Sequence, residues 1–391
     1  MRTTLSIIKA DVGSIGGHTR PSDAMLASVR TGVRGAIERG LLIDGRVTHT
    51  GDDIAIIMSH TAGVGAREIH GFAWEQFLRA TEEARREGLY GAGQDLLVDA
   101  PSGNVRGAGP AVAEIEFDRD PRSKERPAEA FLVFAADKCG PGAYNVPLYT
   151  VFGDPMHNSA LLLSPKMREG FTVTLIDMDH PSPDGDRIIE LDVPERLWDV
   201  ACLVQNPDRF AIEAIHSRHK PDEQIVSVSA TRLHNIAGKY TGKDDPVAIV
   251  RTQGIFPAPE EVVEPYLLGH FVGGGCRGSH VMPLMPVAIN TAVTGPYCLP
   301  LVSCLAFSMD ADGRFSGAEV DVFGNVAWDA TRLKVQQKAD EWRRQGFIGP
   351  TMASHAELAY TGLVDALATL DRQFQFRSET ALRPAAAAPA G

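Results

Sequence analysis

Aspartates recur in this chain as short polar clusters, each beside an apolar run that has the character of a β-strand. The clusters are Asp11 before Gly13 to His18, Gly51-Asp52-Asp53, Gln94-Asp95, Asp137-Lys138 and Lys243-Asp244-Asp245-Pro246. Adjacent carboxylates repel one another, so a half-buried pair persists only where a cation lies between them. The simplest such cation is a hard divalent metal bound through oxygen. The pattern therefore predicts a fold built around Mg²⁺.

The apolar runs alternate with segments of helical periodicity, which predicts an α/β (α+β) fold with mixed or antiparallel sheets covered by helices. Thr4 to Lys9 is predicted as a buried strand with Asp11 at its end. Val47 to Met58 is predicted as a hairpin whose tip carries Gly51-Asp52-Asp53. A solvated turn would also explain that tip, because Gly and Asp favour turns on backbone grounds alone.

The chain shows no internal repeat and no linker that would divide it. We therefore expect one catalytic domain over residues 1–380. Residues 381–391 are rich in Ala and Pro, bury too little apolar surface to fold, and are predicted to be a disordered tail.

The net charge and the cysteine content limit the classes of binding partner and the cellular compartment that we expect. The formal net charge is −12 without a Lys/Arg-rich stripe, which argues against a nucleic-acid partner. The five cysteines include no Cys-x-x-Cys pair, which argues against a disulfide framework and a zinc site. The first residues do not resemble a signal peptide, and no apolar run is long enough to cross a bilayer. We expect a cytoplasmic protein with no membrane partner.

Lys243-Asp244-Asp245-Pro246 places a possible amine nucleophile beside two carboxylates. A charged surface loop is the alternative, but consecutive side chains can converge on one site only from an irregular loop. A lysine titrates near ~10.4, and lowering its pKa to about 7–8 takes roughly 4 kcal/mol. If Asp244 and Asp245 bind Mg²⁺, the field of the ion favours the neutral amine. A Schiff-base lysine and metal-binding aspartates therefore support each other.

Several further residues allow both a functional and a structural interpretation. His18 follows two glycines and is either a metal or phosphate ligand or a structural histidine. The loop from Gly273 to Gly278 carries Arg277 and is either a phosphate clamp or a plain glycine turn. Tyr240 and Tyr360 would by default pack with a hydrated hydroxyl.

Six dense motifs give the chain a close resemblance to the bifunctional fructose-1,6-bisphosphate aldolase/phosphatase family of archaea and deeply branching bacteria. The motifs are Ile8-Lys9-Ala10-Asp11 with Gly17-His18, His49 to Asp53, Leu89 to Asp95, Ser102 to Gly107, Ala136 to Lys138 with Pro141 to Asn145, and Ala237 to Pro246. The resemblance runs from about Thr4 to Tyr360 and beyond. It implies a single-unit α-β-β-α four-layer sandwich that assembles into a homo-octamer.

The resemblance also implies the reaction and the site residues. Lys243 would form a Schiff base with dihydroxyacetone phosphate, Tyr240 would act as the aldol acid/base, and the product fructose 1,6-bisphosphate would lose its 1-phosphate, with Asp11 as the base. The implied Mg²⁺ ligands are Asp11, His18, Asp52, Asp53, Gln94, Asp137, Asp244 and Asp245. The implied phosphosugar contacts are His18, Tyr90, Gly103, Asn104, Asp137, Lys138, Gln253, Arg277 and Tyr360.

Two other functions fit parts of the pattern. One is a monofunctional Mg²⁺-dependent sugar phosphatase, and the other is a non-catalytic phosphosugar-binding regulator. Retention of Lys243 and Tyr240 beside all the aspartates disfavours both. The chain departs from the family pattern in three places, which are Gly254, the positions near Asn290 and Thr291, and Glu357-Leu358-Ala359-Tyr360.

Overall fold

The computed structural model describes most of the chain as strands and helices in layers. The described residues are 2–96, 109–118, 129–179, 186–231, 242–274, 280–293, 299–344 and 362–377. The strands are β1 Arg2–Asp11, β2 Asp44–Thr50, β3 Asp53–His60, β4 Ala111–Asp118, β5 Glu129–Asp137, β6 Phe171–Asp177, β7 Arg187–Val193, β8 Phe210–Ser217, β9 Gln224–Val228, β10 Val247–Thr252, β11 Phe271–Gly274, β12 His280–Pro283, β13 Met285–Pro286, β14 Leu301–Met309, β15 Val320–Asp321 and β16 Gln375–Phe376. The α-helices are α1 Asp23–Glu38, α2 Arg67–Arg86, α3 Asn145–Gly153, α4 Ala160–Leu163, α5 Leu197–Val204, α6 Pro259–Val263, α7 Asp329–Arg344 and α8 Leu363–Asp371.

Two large sheets organise these elements. The first has the strand order β2-β3-β1-β4 and is antiparallel throughout. The second has the order β13-β14-β5-β10-β9-β8-β6-β7-β16, with β15 paired to β14. Its β13/β14 pair is parallel, and its other described pairs are antiparallel. The predicted α/β class with mixed or antiparallel sheets is confirmed.

The alternation of side chains along β1 shows how the layers stack. Leu5 and Ile7 pack in an apolar cluster that also contains Phe131 of β5 and Ile249 of β10, so the two sheets face each other there. Ile8 and its neighbours on the opposite face pack in a second cluster with α1 and α2. A third cluster covers the far face of the second sheet with residues of α3, α5 and α6. The order of layers is helix, sheet, sheet, helix.

Local signals in the sequence account for the first helix and the first hairpin. Ser22 caps α1, because its side chain accepts a hydrogen bond from the Met25 backbone N–H at 3.2 Å. In the hairpin, Thr50 of β2 pairs with Asp53 of β3, so Gly51 and Asp52 form the two-residue turn. The turn thus carries one predicted ligand, Asp52, and the next, Asp53, begins β3 directly after it.

The described helices include none that is long and apolar enough to cross a membrane. The expected tail falls among residues 378–391 and lies outside the described part of the chain. The single-domain boundary stays a prediction.

Candidate active site

The acidic clusters meet because two antiparallel strand pairs end at the same edge of the sandwich. Asp11, the last residue of β1, lies directly across from Asp53, the first residue of β3. Asp137 ends β5, and the Ala136 N–H donates to the Pro246 carbonyl at 3.0 Å, just before β10 begins. The antiparallel pairing of β5 with β10 thus brings Asp245 to the same edge.

Six of the eight predicted metal ligands form two groups. In the first, ligand atoms of Asp11, His18 and Asp52 all lie within 4.8 Å of one another. His18 Nδ1 is 3.1 Å from Asp52 Oδ2 and 4.0 Å from Asp11 Oδ2. The second group joins one carboxylate oxygen each from Asp53, Asp137 and Asp245 within the same limit.

The two groups adjoin, because the Asp52 backbone N–H lies 3.4 Å from Asp137 Oδ2. The second group offers three carboxylate oxygens, the donors that hard divalent cations prefer, and the first offers two carboxylate oxygens and one imidazole nitrogen.

The other two predicted ligands stand beside these groups. Asp244 Oδ1 accepts a hydrogen bond from Lys243 Nζ at 3.3 Å. Gln94 is half-buried and begins a short 3₁₀ helix, and its backbone N–H donates to the Gly91 carbonyl at 2.9 Å. Tyr90 marks the open rim of the site, since it is 59% exposed and its ring meets the His18 ring edge-on at 5.1 Å.

Three buried lysines lie among the carboxylates. Lys138 Nζ donates to Asp52 Oδ1 at 2.5 Å and to Asp137 Oδ1 at 2.9 Å, so it links the two ligand groups. Lys243 contacts Asp244 and lies 3.5 Å from Asp95 Oδ2. Lys9 pairs with Asp53 from beneath the site.

The electrostatics of the site favour added positive charge. Burial, together with the charges of Asp52 and Asp53, raises the pKa of Asp11 well above its usual range. Burial likewise raises the pKa of Asp137, although Lys138 opposes the shift. The carboxylates of the site outnumber the three ammonium groups. Asp245 is half-buried, and the others are buried, namely Asp11, Asp52, Asp53, Asp95, Asp137 and Asp244. Divalent cations would hold these groups ionised together, so the residues fit a metal site.

The surroundings of Lys243 favour its charged, protonated form. Its side chain is 2% exposed. Burial lowers the pKa of Lys243, but the carboxylates of Asp95, Asp244 and Asp245 outweigh burial and raise it above the ordinary lysine value. A neutral amine at this position therefore requires that the charge of these carboxylates be compensated by another cation.

The sequence interpretation gave no role in the site to two residues, Lys9 and Asp95. Lys9 lies in an apolar strand two positions before Asp11, and this spacing puts both side chains on one face of β1. Asp95 follows Gln94, and its Oδ2 accepts a hydrogen bond from the Asp11 backbone N–H at 2.9 Å. The sequence signal for both is a charged residue close to predicted ligands, with Lys9 inside an apolar strand and Asp95 next to Gln94.

The structure does not bring every predicted residue to this edge. Gln253 follows the last residue of β10, whereas Asp245 precedes the first, so the two lie roughly 26 Å apart along an extended strand. A sugar bisphosphate bound at the acidic cluster of one chain does not reach Gln253 of that chain. Its predicted substrate contact stays a prediction. Five predicted residues lie outside the described part of the chain, namely Gly103, Asn104, Tyr240, Arg277 and Tyr360.

Gly51 provides a sharp test of how tightly the ligand groups are packed. A Cβ at this position would lie 1.5 Å from Asp137 Oδ2, and the residue has a φ of +56°. We expect Gly51→Ala to displace the Asp137 carboxylate, weaken metal binding at least about tenfold and lower activity with it, since a 1 Å misplacement can cost about 100-fold.

Gly40→Ala is the matched control for Gly51→Ala. Gly40 also has a positive φ, +73°, but nothing lies within 4 Å of its added Cβ. Both variants lose about 1 kcal/mol of stability or somewhat more from backbone strain. Metal affinity measured by titration calorimetry should fall in Gly51→Ala alone, and equal affinities in the two variants would show that the site is not packed as described.

Comparison with known proteins places this geometry in a family. A family model described as fructose-1,6-bisphosphatase matches residues 2–375. A protein of Thermus thermophilus named fructose-1,6-bisphosphate aldolase/phosphatase is 54% identical over 374 residues, covering 96% of this chain and 100% of the relative. Relatives with the same name are 44% identical in Cenarchaeum symbiosum, covering 92% of this chain and 91% of the relative, and 41% identical in Methanothermobacter marburgensis, covering 96% and 99%.

Proposed function

Because the chain belongs to the fructose-1,6-bisphosphatase family, we propose that it is a bifunctional fructose-1,6-bisphosphate aldolase/phosphatase of gluconeogenesis, as its relatives are named. It joins dihydroxyacetone phosphate to glyceraldehyde 3-phosphate and then hydrolyses the 1-phosphate of the product to give fructose 6-phosphate. The observation that carries this proposal is the placement of buried Lys243 at the edge where two acidic ligand groups meet.

In the aldol half, the Lys243 amine attacks the ketone carbon of dihydroxyacetone phosphate, and the carbonyl oxygen leaves as water to give an imine. Tyr240 removes a proton from the adjacent carbon, and the resulting enamine attacks the aldehyde. Hydrolysis of the new imine frees Lys243. The buried setting of Lys243 supports this role, because it keeps the reacting amine out of bulk water.

In the phosphatase half, the eight predicted ligands would hold Mg²⁺ ions. The close spacing of ligand atoms within each of the two groups supports that assignment. Bound Mg²⁺ supplies charge neutralisation at the phosphoryl group and activation of water. Asp11 is the proposed base, and its position at the end of β1, beside His18 and Asp52, supports this role.

The proposed phosphosugar contacts surround the same edge. Lys138 lies between the two ligand groups and can neutralise a phosphate oxygen, while Tyr90 and His18 form the rim through which a substrate enters. Asp137 would contact the sugar through the same carboxylate that Lys138 holds. Gly103, Asn104, Arg277 and Tyr360 are proposed on the family resemblance.

A monofunctional sugar phosphatase is the second candidate, since it needs the metal ligands but no buried lysine beside Asp95. Release of inorganic phosphate from the two triose phosphates, with no hexose bisphosphate added, separates these functions. The bifunctional enzyme forms fructose 6-phosphate together with the released phosphate, whereas a monofunctional phosphatase forms no fructose 6-phosphate. Hydrolysis of fructose 1,6-bisphosphate in a parallel assay excludes the third candidate, a non-catalytic phosphosugar-binding regulator.

The proposed assembly is a homo-octamer in the cytoplasm. Large apolar side chains exposed on the single chain support assembly, among them Met156 at 88% and Trp198 at 80% exposure. Three described cysteines, Cys139, Cys202 and Cys304, are unpaired, as expected in a reducing compartment. Light scattering should give a mass about eight times 42.1 kDa. A stable, fully active monomer contradicts the octamer.

A further inference from the structure

Asp95 is the carboxylate that joins the lysine of the site to the end of β1. The Asp95 Oδ2 oxygen accepts a hydrogen bond from the Asp11 backbone N–H at 2.9 Å, and the same oxygen lies 3.5 Å from Lys243 Nζ. Asp95 is buried. One oxygen atom therefore contacts both the proposed nucleophile and the backbone of a proposed metal ligand.

The backbone around Asp95 is fixed on both sides. The Gly93 N–H donates to the Val12 carbonyl at 3.1 Å, and the Leu96 N–H donates to the Gly93 carbonyl at 3.0 Å. The Asp95 carbonyl in turn accepts from the Gly109 N–H at 2.9 Å. These bonds hold the carboxylate at a set distance from the strand that carries Asp11.

Among the described residues, the carboxylates of Asp95 and Asp244 contact the Lys243 amine, and they differ in what else they do. Asp244 is a proposed metal ligand, so a bound ion would draw its oxygens away from the amine. Asp95 belongs to neither of the two ligand groups found among the described residues. Its contact with Lys243 therefore does not compete with the metal coordination proposed for Asp244.

We propose that Asp95 is a positioning residue for the aldol step, which holds the Lys243 side chain in one orientation relative to the end of β1. The proposal rests on the proposed function, in which Lys243 forms the imine. A long lysine side chain has many rotamers, and the fixed Asp95 oxygen selects the one aimed into the site. The same carboxylate raises the pKa of Lys243, so its removal favours the neutral amine, and a fall in trapping on its removal therefore reports the lost orientation. No phosphatase step uses this contact, so its loss separates the two activities.

Asp95→Asn tests the proposal, because the amide oxygen still accepts the Asp11 N–H while the charge opposite Lys243 is gone. We expect the rate of borohydride trapping of dihydroxyacetone phosphate on Lys243 to fall at least tenfold, within the roughly 100-fold that misplacement can cost. Phosphate release from fructose 1,6-bisphosphate should fall no more than a few-fold. Asp95→Ala also removes the acceptor for the Asp11 N–H and should lower both activities.

Asp177→Asn is the control for loss of a buried, cation-paired carboxylate. Asp177 is fully buried between Arg187 and Arg209, on a strand three positions from β10 in the sheet, roughly 14 Å away. This variant should leave the ratio of trapping to phosphate release at the wild-type value, whatever its effect on stability.

The possible outcomes distinguish failure of the Asp95 positioning role from failure of the proposed aldol function. Equal losses of trapping and phosphate release in Asp95→Asn would overturn the positioning role and leave only a structural one. Unchanged trapping in Asp95→Asn would also overturn it. If the wild-type enzyme itself gives no adduct on Lys243, the aldol half of the proposed function fails, whatever Asp95 does.

Discussion

Removal of divalent metal by a chelator is expected to abolish phosphate release from fructose 1,6-bisphosphate, and added Mg²⁺ is expected to restore it. The reason lies in the buried carboxylates, which share three ammonium groups and cannot all stay ionised without further cations. Replacing Asp52 with Ala should lower phosphatase activity by about two to three orders of magnitude, the typical cost of losing one preorganised electrostatic group. Asp52 contacts His18 and Lys138 as well, so its loss disturbs both ligand groups.

A thermal unfolding curve gives a second reading that does not depend on activity. Metal that binds only the folded chain at 100 times its dissociation constant adds about 2.7 kcal/mol of stability, so the midpoint should rise on Mg²⁺ addition. Asp52→Ala should reduce this rise, whereas Asp192→Ala, at an exposed position on β7, should not. Full activity and an unchanged midpoint after exhaustive chelation contradict a metal site.

Lys243→Arg is expected to eliminate condensation of the triose phosphates while phosphate release from fructose 1,6-bisphosphate persists within about tenfold of wild type. A guanidinium stays charged at neutral pH and cannot form an imine. It does retain the positive charge that Asp95 and Asp244 face, so the charge of these carboxylates stays compensated. Paired assays of fructose 6-phosphate formed from triose phosphates and of phosphate released from the bisphosphate measure the split.

Lys138→Arg is the matched control, since it makes the same chemical change at the other lysine that bridges site carboxylates. The larger, planar guanidinium cannot reproduce the contacts of the compact ammonium, so Lys138→Arg should lower both activities together, because Lys138 contacts both ligand groups. Condensation that survives in Lys243→Arg shows that another amine, or no amine, carries the aldol step.

The sequence allowed prediction of the elements that local patterns specify. Alternating apolar residues indicated β1 and the hairpin, and the Gly51-Asp52 turn followed from residues that favour turns. Asp11 and Asp53 were grouped in advance through the family resemblance. The physical reason for their meeting is the antiparallel pairing of β1 with β3, which places them directly across from each other.

Other features depend on which strands become neighbours, and local patterns do not carry that information. The pairing of β5 with β10 brings Asp245 to Asp137. Gln253 lies at the other end of β10, on the side of the sheet away from these aspartates. The burial of Lys9 under Asp53 and the contact of Asp95 with Lys243 arise from packing between segments far apart in the chain. A charged residue within an apolar strand is a signal of this kind, but its partner is visible only in three dimensions.

The central claim is that one lysine within the metal-binding edge performs carbonyl chemistry. Borohydride added to the wild-type enzyme with dihydroxyacetone phosphate tests it most directly, because reduction converts the imine into a stable secondary amine that peptide mass mapping can locate. We predict a triose-phosphate adduct on the peptide that contains Lys243, and none in Lys243→Arg. An adduct on a different lysine, or no adduct while the enzyme still condenses triose phosphates, would contradict the account.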